Sequence, residues 1–255
     1  MSINNVPSGS NPARHSDKDR NSYTLALDAF DKSSLSNFEK LEAFPRFTSK
    51  RALARFLVKS EIFNKILHVN GAIVECGVFN GAGLFTWAQL SNIYEPINYN
   101  RKIIGFDTFE GFPSVDEEKD NVGSTKNSQG DLRGSSLDEL NASIDKYNHE
   151  RHLSHISNIE LVAGDFNSTA GEFFSKRPHL IVSLLYLDFD LYSPTKTALE
   201  TIVPRMPKGS IIAFDELNCE NFAGETLAFD EVLGIRNHKI HRSTIDPWVS
   251  YIVME

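Results

Sequence analysis

Apolar positions change their spacing near Gly71. Before it, Leu53, Phe56, Leu57, Ile62 and Ile66 recur at helical spacing, with Thr48 or Ser49 placed to cap the helix. Residues 1–22 are polar and read as a tail, and residues 23–69 read as a helical lead-in. Within the lead-in, Asp31 to Val69 carries the pattern of a segment that packs on the main domain or on another subunit. After Gly71 come short β-type runs: AIVECGV, KIIGFD, IELVAG, LIVSLLYLDFD, SIIAFDE and WVSYIVME. Helical stretches at Leu84–Ile93, Leu137–Tyr147, Thr195–Met206 and Glu225–Leu233 lie between them. Such alternation predicts βαβ units, hence a doubly wound α/β domain over 70–255 with a mostly parallel sheet of about seven strands. The last run closely follows HKIHRST, so these two are expected to pair antiparallel. Residues 111–136 are polar and lack periodicity, which predicts a lid-like insert.

Composition excludes several classes. The chain has 255 residues, 40% hydrophobic and 24% charged, as in an ordinary globular protein. Its net charge of −8 argues against a nucleic-acid or anionic-membrane partner, since both need a basic face. Two cysteines, Cys76 and Cys219, supply no disulfide framework and no Cys-based zinc site. The apolar runs are too short to span a bilayer, and the first residues contain no signal-peptide core. A cytoplasmic location is therefore expected.

Chemistry concentrates at strand ends. The first strand runs into VECGVFNGAG, whose glycines permit positive φ and close approach of a ligand to the backbone. The pattern E-x-G-x-x-x-G-x-G matches neither a dinucleotide fingerprint nor a phosphate loop. Its acid, Glu75, suits the ammonium of a ligand with an amino-acid end, although an unliganded βα turn would read the same way. Asp107 closes the second strand where ribose hydroxyls are commonly held, and Asp165 follows the third strand within reach of an adenine edge. Either acid could instead cap the next helix. Asp188 and Asp190 end the fourth strand and, two apart, should project together; Asp215 and Glu216 end the fifth. Four carboxylates in one crevice call for a hard divalent cation such as Mg2+. One or two of them could instead cap the helices starting near Thr195 and Phe222, which does not account for all four. The run His149, His152, His155 follows a polar helix and reads as a solvated face. Phe85, Trp87 and Cys76 read as core.

With these residues in view, the chain resembles the macrocin O-methyltransferase family, S-adenosylmethionine- and Mg2+-dependent enzymes that methylate sugar hydroxyls. The blocks VECGVFNGAG, IIGFDTFEGFP, LDFDLYSPTKTALETIVPRMPKGSIIAFDE and GETLAFDEV carry the likeness, over roughly Arg46 to Val232. The FDE and GET stretch is most similar to the calicheamicin-type branch, which acts on a nucleotide-linked deoxysugar. The resemblance implies a Rossmann-like methyltransferase sheet. Glu75, Gly77, Gly81 and Gly83 would hold the methionine part of the cofactor, Asp107 with Thr108 the ribose, and Asp165 the adenine. Asp188, Asp215 and Glu216 would bind the metal, and Asp190 would be the general base. Many members have two aspartates where this chain has Asp215-Glu216. Lys126 and Arg133 in the insert are candidate contacts for an acceptor phosphate. The expected partner is a sugar or nucleotide sugar, and the lead-in offers a face for a homodimer or higher homo-oligomer. A non-sugar acceptor such as a catechol, or a cofactor-binding scaffold without activity, are the competing readings.

Overall fold

The computed structural model describes residues 16–123 and 126–255. Residues 1–15 of the polar tail, and Ser124 and Thr125 of the insert, lie outside the described residues. The chain divides into two compact units between Phe56 and Leu57. The first contains α1 (Asp17–Asp31), α2 (Asn37–Glu42), α3 (Phe44–Phe47) and the start of α4 (Lys50–Ile66). Helix α1 begins inside the stretch read as tail. Ser36 and Glu39 form a capping box that starts α2, satisfying two backbone donors reciprocally. The Phe30 ring meets Phe47 edge-on and lies beneath the Lys40 ammonium.

The second unit is a seven-stranded sheet in the order β3-β2-β1-β4-β5-β7-β6. Strands β1 (Ala72–Cys76), β2 (Ile103–Asp107), β3 (Ile159–Ala163), β4 (Val182–Leu187) and β5 (Ile211–Phe214) are parallel. Strand β7 (Ser250–Val253) pairs antiparallel with β5 and with the two-residue β6 (His241–Arg242). Parallel strands covered on both faces must be apolar on both, which is why β1, β4 and β5 are near-continuous hydrophobic runs. Alternate residues feed two cores. Ile73, Ile103, Leu184, Tyr186 and Ile211 face α4, α5 (Ala82–Tyr94) and α6 (Leu137–Glu150). Val74, Ile104, Leu185, Ile212 and Phe214 face α7 (Phe166–Ser175), α8 (Tyr192–Ile202) and α9 (Ala223–Val232).

Two helix expectations change. Helix α7 is absent from the predicted elements because FNSTAGEFFS is short and rich in weak helix formers. The Asp165 cap and the buried Phe166, Ala170, Phe173 and Phe174 form it nonetheless. Helix α8 ends at Ile202, before a single 3-10 turn over Val203–Arg205, since Pro204 lacks a backbone donor. No helix among the described residues is long and apolar enough to cross a membrane.

The described residues of the insert at 111–136 are hydrogen-bonded to α8 and to the turn before α9. Asp120 is buried, and its carboxylate accepts hydrogen bonds from the backbone N–H groups of Tyr192 (2.7 Å) and Asp116 (2.8 Å). Asn127 donates to the carbonyls of Asp120 and Asn221. The Lys126 ammonium donates to the Asn121 carbonyl at 2.9 Å, so this candidate for phosphate contact also braces its own loop. Arg133 is exposed.

Candidate active site

Strands β2 and β4 flank β1, so chain order reverses there. In open α/β sheets the ligand crevice forms at such a point, outside the carboxyl ends of the strands, here β1 and β4. Gly77 and Gly81 in the β1–α5 turn have φ of +91° and +80°. At Gly77 a Cβ would lie 1.9 Å from the Asp188 carbonyl oxygen, so the glycine turn and the acid-bearing end of β4 touch through backbone alone. At Gly83 a Cβ would lie 2.2 Å from Glu75 Oε1, so this glycine leaves room for the carboxylate.

Glu75 shares a sheet face with Ile73, pairs in register with Tyr186, and is only 2% exposed. Burial raises its pKa to about 7, opposed chiefly by the charge of Lys59 on α4. The Trp87 indole also lowers it, though neither the indole N–H nor Glu75 Oε2 makes a hydrogen bond of full geometry. Lys59 is 5% exposed, with its ammonium 4.1 Å from the Tyr186 ring centre. The Tyr186 hydroxyl donates to Asp215 Oδ1 at 2.5 Å. Lys59 and Tyr186, which the sequence reading left unassigned, thus connect Glu75 with Asp215. Both lie in apolar periodic runs and carry no local signal of a polar role.

The pKa of Glu75 has a thermodynamic consequence. The ordinary carboxyl value is 4.5, so this group favours the fold fully below pH 4.5, and the contribution is lost as pH rises toward 7. The loss amounts to about 3 kcal/mol. Denaturant titrations from pH 4.5 to 8 should show Glu75→Gln with a flatter decline in stability than the native chain. Equal slopes would overturn this assignment.

On the other side of the crevice, Asp188, Asp215 and Glu216 each offer one carboxylate oxygen, all within 4.8 Å of one another. Hard oxygen donors so grouped fit Mg2+ or Mn2+ better than a soft metal. Asp190 joins them, but not by strand alternation. Strand β4 ends at Leu187, and Asp190 has φ of +64°, so a left-handed turn brings it beside Asp188. It is buried, and its carboxyl lies close to that of Glu216. Burial, reinforced by the charges of Asp188, Glu225 and Asp215, pushes its pKa well above the usual carboxylate range. Glu225, in the first turn of α9, is a further acid that sequence reasoning missed. It lies in the GET triplet, but an acid there is indistinguishable from a helix-dipole acid until the fold brings it to the cluster.

The remaining candidates already have local partners. Asp107 Oδ2 accepts the N–H groups of Val78 and Phe79, both at 2.8 Å, and Oδ1 accepts that of Phe109 at 2.7 Å. Asp107 therefore shapes the glycine turn as well as ending β2. The Thr108 hydroxyl donates to the Gly111 carbonyl at 2.5 Å. Asp165 caps α7 by accepting the Asn167 N–H at 3.0 Å. Asp107 and Asp165 stand at the ends of neighbouring strands, since β2 pairs with β3.

The profile of the Macrocin-O-methyltransferase (TylF) family matches residues 51–251. A crystal structure of CalS11, calicheamicin methyltransferase, is 31% identical over 97% of this chain and 98% of that one, with a TM-score of 0.89. The apo structure of CalS11, described as TDP-rhamnose 3'-O-methyltransferase in calicheamicin biosynthesis, is 29% identical over 94% and 96%, with a TM-score of 0.80. The O-methyltransferase NovP shares the fold, at 18% identity over 79% and 80% and a TM-score of 0.60. No curated protein sequence matches. With the profile spanning most of the chain, and a solved relative 31% identical over nearly all of both chains, the chain belongs to the macrocin O-methyltransferase family, a family of O-methyltransferases.

Proposed function

We propose that the chain methylates a hydroxyl of a nucleotide-linked deoxysugar, using S-adenosylmethionine as donor and a divalent cation held by Asp188, Asp215 and Glu216. The observation that carries this reading is the meeting of the glycine turn and the carboxylate cluster at Gly77 and Asp188. Donor and acceptor sites on either side of that contact give in-line transfer a short path. Its likeness to a TDP-rhamnose methyltransferase over nearly the whole of both chains supports the acceptor class.

A sugar hydroxyl is a weak acid and needs activation. Bound cation would lower the pKa of a coordinated hydroxyl, and the sulfonium donor would supply the methyl group. Asp190, beside the three ligand candidates, accepts the hydroxyl proton. Asp107 holds the turn rigid through the Val78 and Phe79 amides, so the cofactor side needs little reorganisation. Folded onto the amide of Tyr192, the insert flanks the acceptor side and excludes water.

The test is a screen of nucleotide deoxysugars with S-adenosylmethionine and Mg2+, read as mass gain of one methyl group. Methylation of at least one sugar is expected. Exhaustive chelation should abolish it, and added Mg2+ should restore it. Undiminished turnover after chelation would remove the cation. Turnover of a vicinal aromatic diol, with none of any sugar, would remove the acceptor class.

A further inference from the structure

Glu225 is 0% exposed, and its two oxygens have different surroundings. Oε2 accepts the backbone N–H of Glu216 at 3.2 Å. Oε1 makes no hydrogen bond and is closed to water. Beside it, Thr226 Oγ1 accepts the N–H of Asn218 at 2.9 Å, and Asn218 has φ of +64°. The first turn of α9 therefore clips the loop that carries Asp215 and Glu216 at two points. That turn is itself fixed. A Cβ at Gly224 would fall 2.3 Å from the Tyr192 nitrogen and 2.5 Å from Asp120 Oδ1, so neither α8 nor the insert leaves it freedom to shift.

A carboxylate in such a place is costly. The charges acting most strongly on Glu225 are those of Glu216, Asp188 and Asp215, all of its own sign. A buried oxygen without a donor, behind three carboxylates, needs positive charge from outside the chain. The Glu216 amide could be satisfied by a neutral acceptor, so the hydrogen bond alone does not account for an acid.

We propose that Glu225 is a positioning residue of the cation centre, holding the Glu216 backbone in place and adding a further negative charge behind the three ligands. The inference rests on the cation reading above. A charge set close behind the ligand shell strengthens cation binding without occupying a coordination position, leaving positions open for acceptor oxygens.

The experiment is calorimetric titration of Mn2+ into the full chain without donor or acceptor, for the native protein, Glu225→Gln and Glu225→Ala. Melting curves with and without Mn2+ accompany it. Gln keeps the acceptor for the Glu216 amide and removes only the charge. Expected is Mn2+ binding by the native chain, weakened about tenfold or more in Glu225→Gln and further in Glu225→Ala. Without metal, Glu225→Gln should melt at or above the native temperature, and its rise on adding Mn2+ should be smaller. Mn2+ affinity in Glu225→Gln within twofold of native would overturn this role while leaving the cation reading intact. A lower metal-free melting temperature for Glu225→Gln would also overturn it, by showing that the charge is answered inside the protein. Failure of the native chain to bind Mn2+ would overturn both.

Discussion

Replacing Asp190 with asparagine is expected to lower kcat about 10²–10⁴-fold, the range for loss of a positioned general base. Donor affinity and melting temperature should stay close to native. Two features of the site make this substitution informative. The residue occupies a left-handed conformation, φ of +64°, which asparagine adopts at least as readily as aspartate. The carboxyl is buried close to that of Glu216, and an asparagine amide N–H can donate to that carboxylate. Backbone and packing are thus preserved while the proton acceptor is lost. Removing a carboxyl from among Asp188, Asp215 and Glu225 also relieves like-charge repulsion, so a large fall in stability is not expected. Single-turnover rates alongside donor titration would separate chemistry from binding. Near-native turnover in a folded variant would exclude Asp190 as the base.

Arg101→Ala is expected to destabilise the fold by about 3–5 kcal/mol, as when one partner of a buried ion pair is removed. The corresponding fall in melting temperature is about 6–20 °C for a chain of this size. Arg101 is 4% exposed, and its guanidinium is fully engaged. Nε and Nη2 donate to the Glu95 carboxylate at 2.5 and 3.0 Å. Nη1 donates to the Gly71 carbonyl and the Ser183 hydroxyl, at 3.0 and 2.9 Å. Nη2 also reaches the carbonyls of Ile66 and Val69. One side chain therefore satisfies the carboxyl end of α4, the entry to β1 and the start of β4. Alanine leaves the Glu95 charge and several carbonyls without partners. Lysine would keep the charge and lose the planar fork, so Arg101→Lys should fall between native and alanine. These contacts lie at the amino ends of β1 and β4, opposite the crevice, so KM should change little where Arg101→Ala remains folded. A melting temperature within about 2 °C of native would contradict the assigned role.

The sequence made the strand ends legible because strands buried on both faces leave continuous apolar runs, and acids at their termini stand out. Asp188, Asp215 and Glu216 were identified in this way and converge in the fold. Glycines were legible too, though for partly different reasons. Gly77 and Gly83 are required by Asp188 and Glu75 rather than by a ligand alone. Residues that act across elements were not legible. Lys59 lies on α4 beside the buried Val58, Ile62 and Phe63, and only packing against Tyr186 and Glu75 reveals its electrostatic part. Arg101 sits in a polar loop with no motif, and its partners run from Ile66 to Ser183. Asp120 and Asn127 fall in a stretch without periodicity, yet buried hydrogen bonds fold it onto the protein.

By itself, the sequence determined the α/β alternation, the parallel sheet and the acids and glycines at its carboxyl edge, because these depend on local periodicity and turn chemistry. Tertiary structure alone decided which charges face one another. It set Glu75 opposite Lys59, turned Asp190 beside Asp188 through a left-handed residue, and brought Glu225 behind Glu216. The physical reason is that burial and Coulomb energy depend on distances between elements far apart in the chain, and the spacing of residues along the chain does not encode those distances.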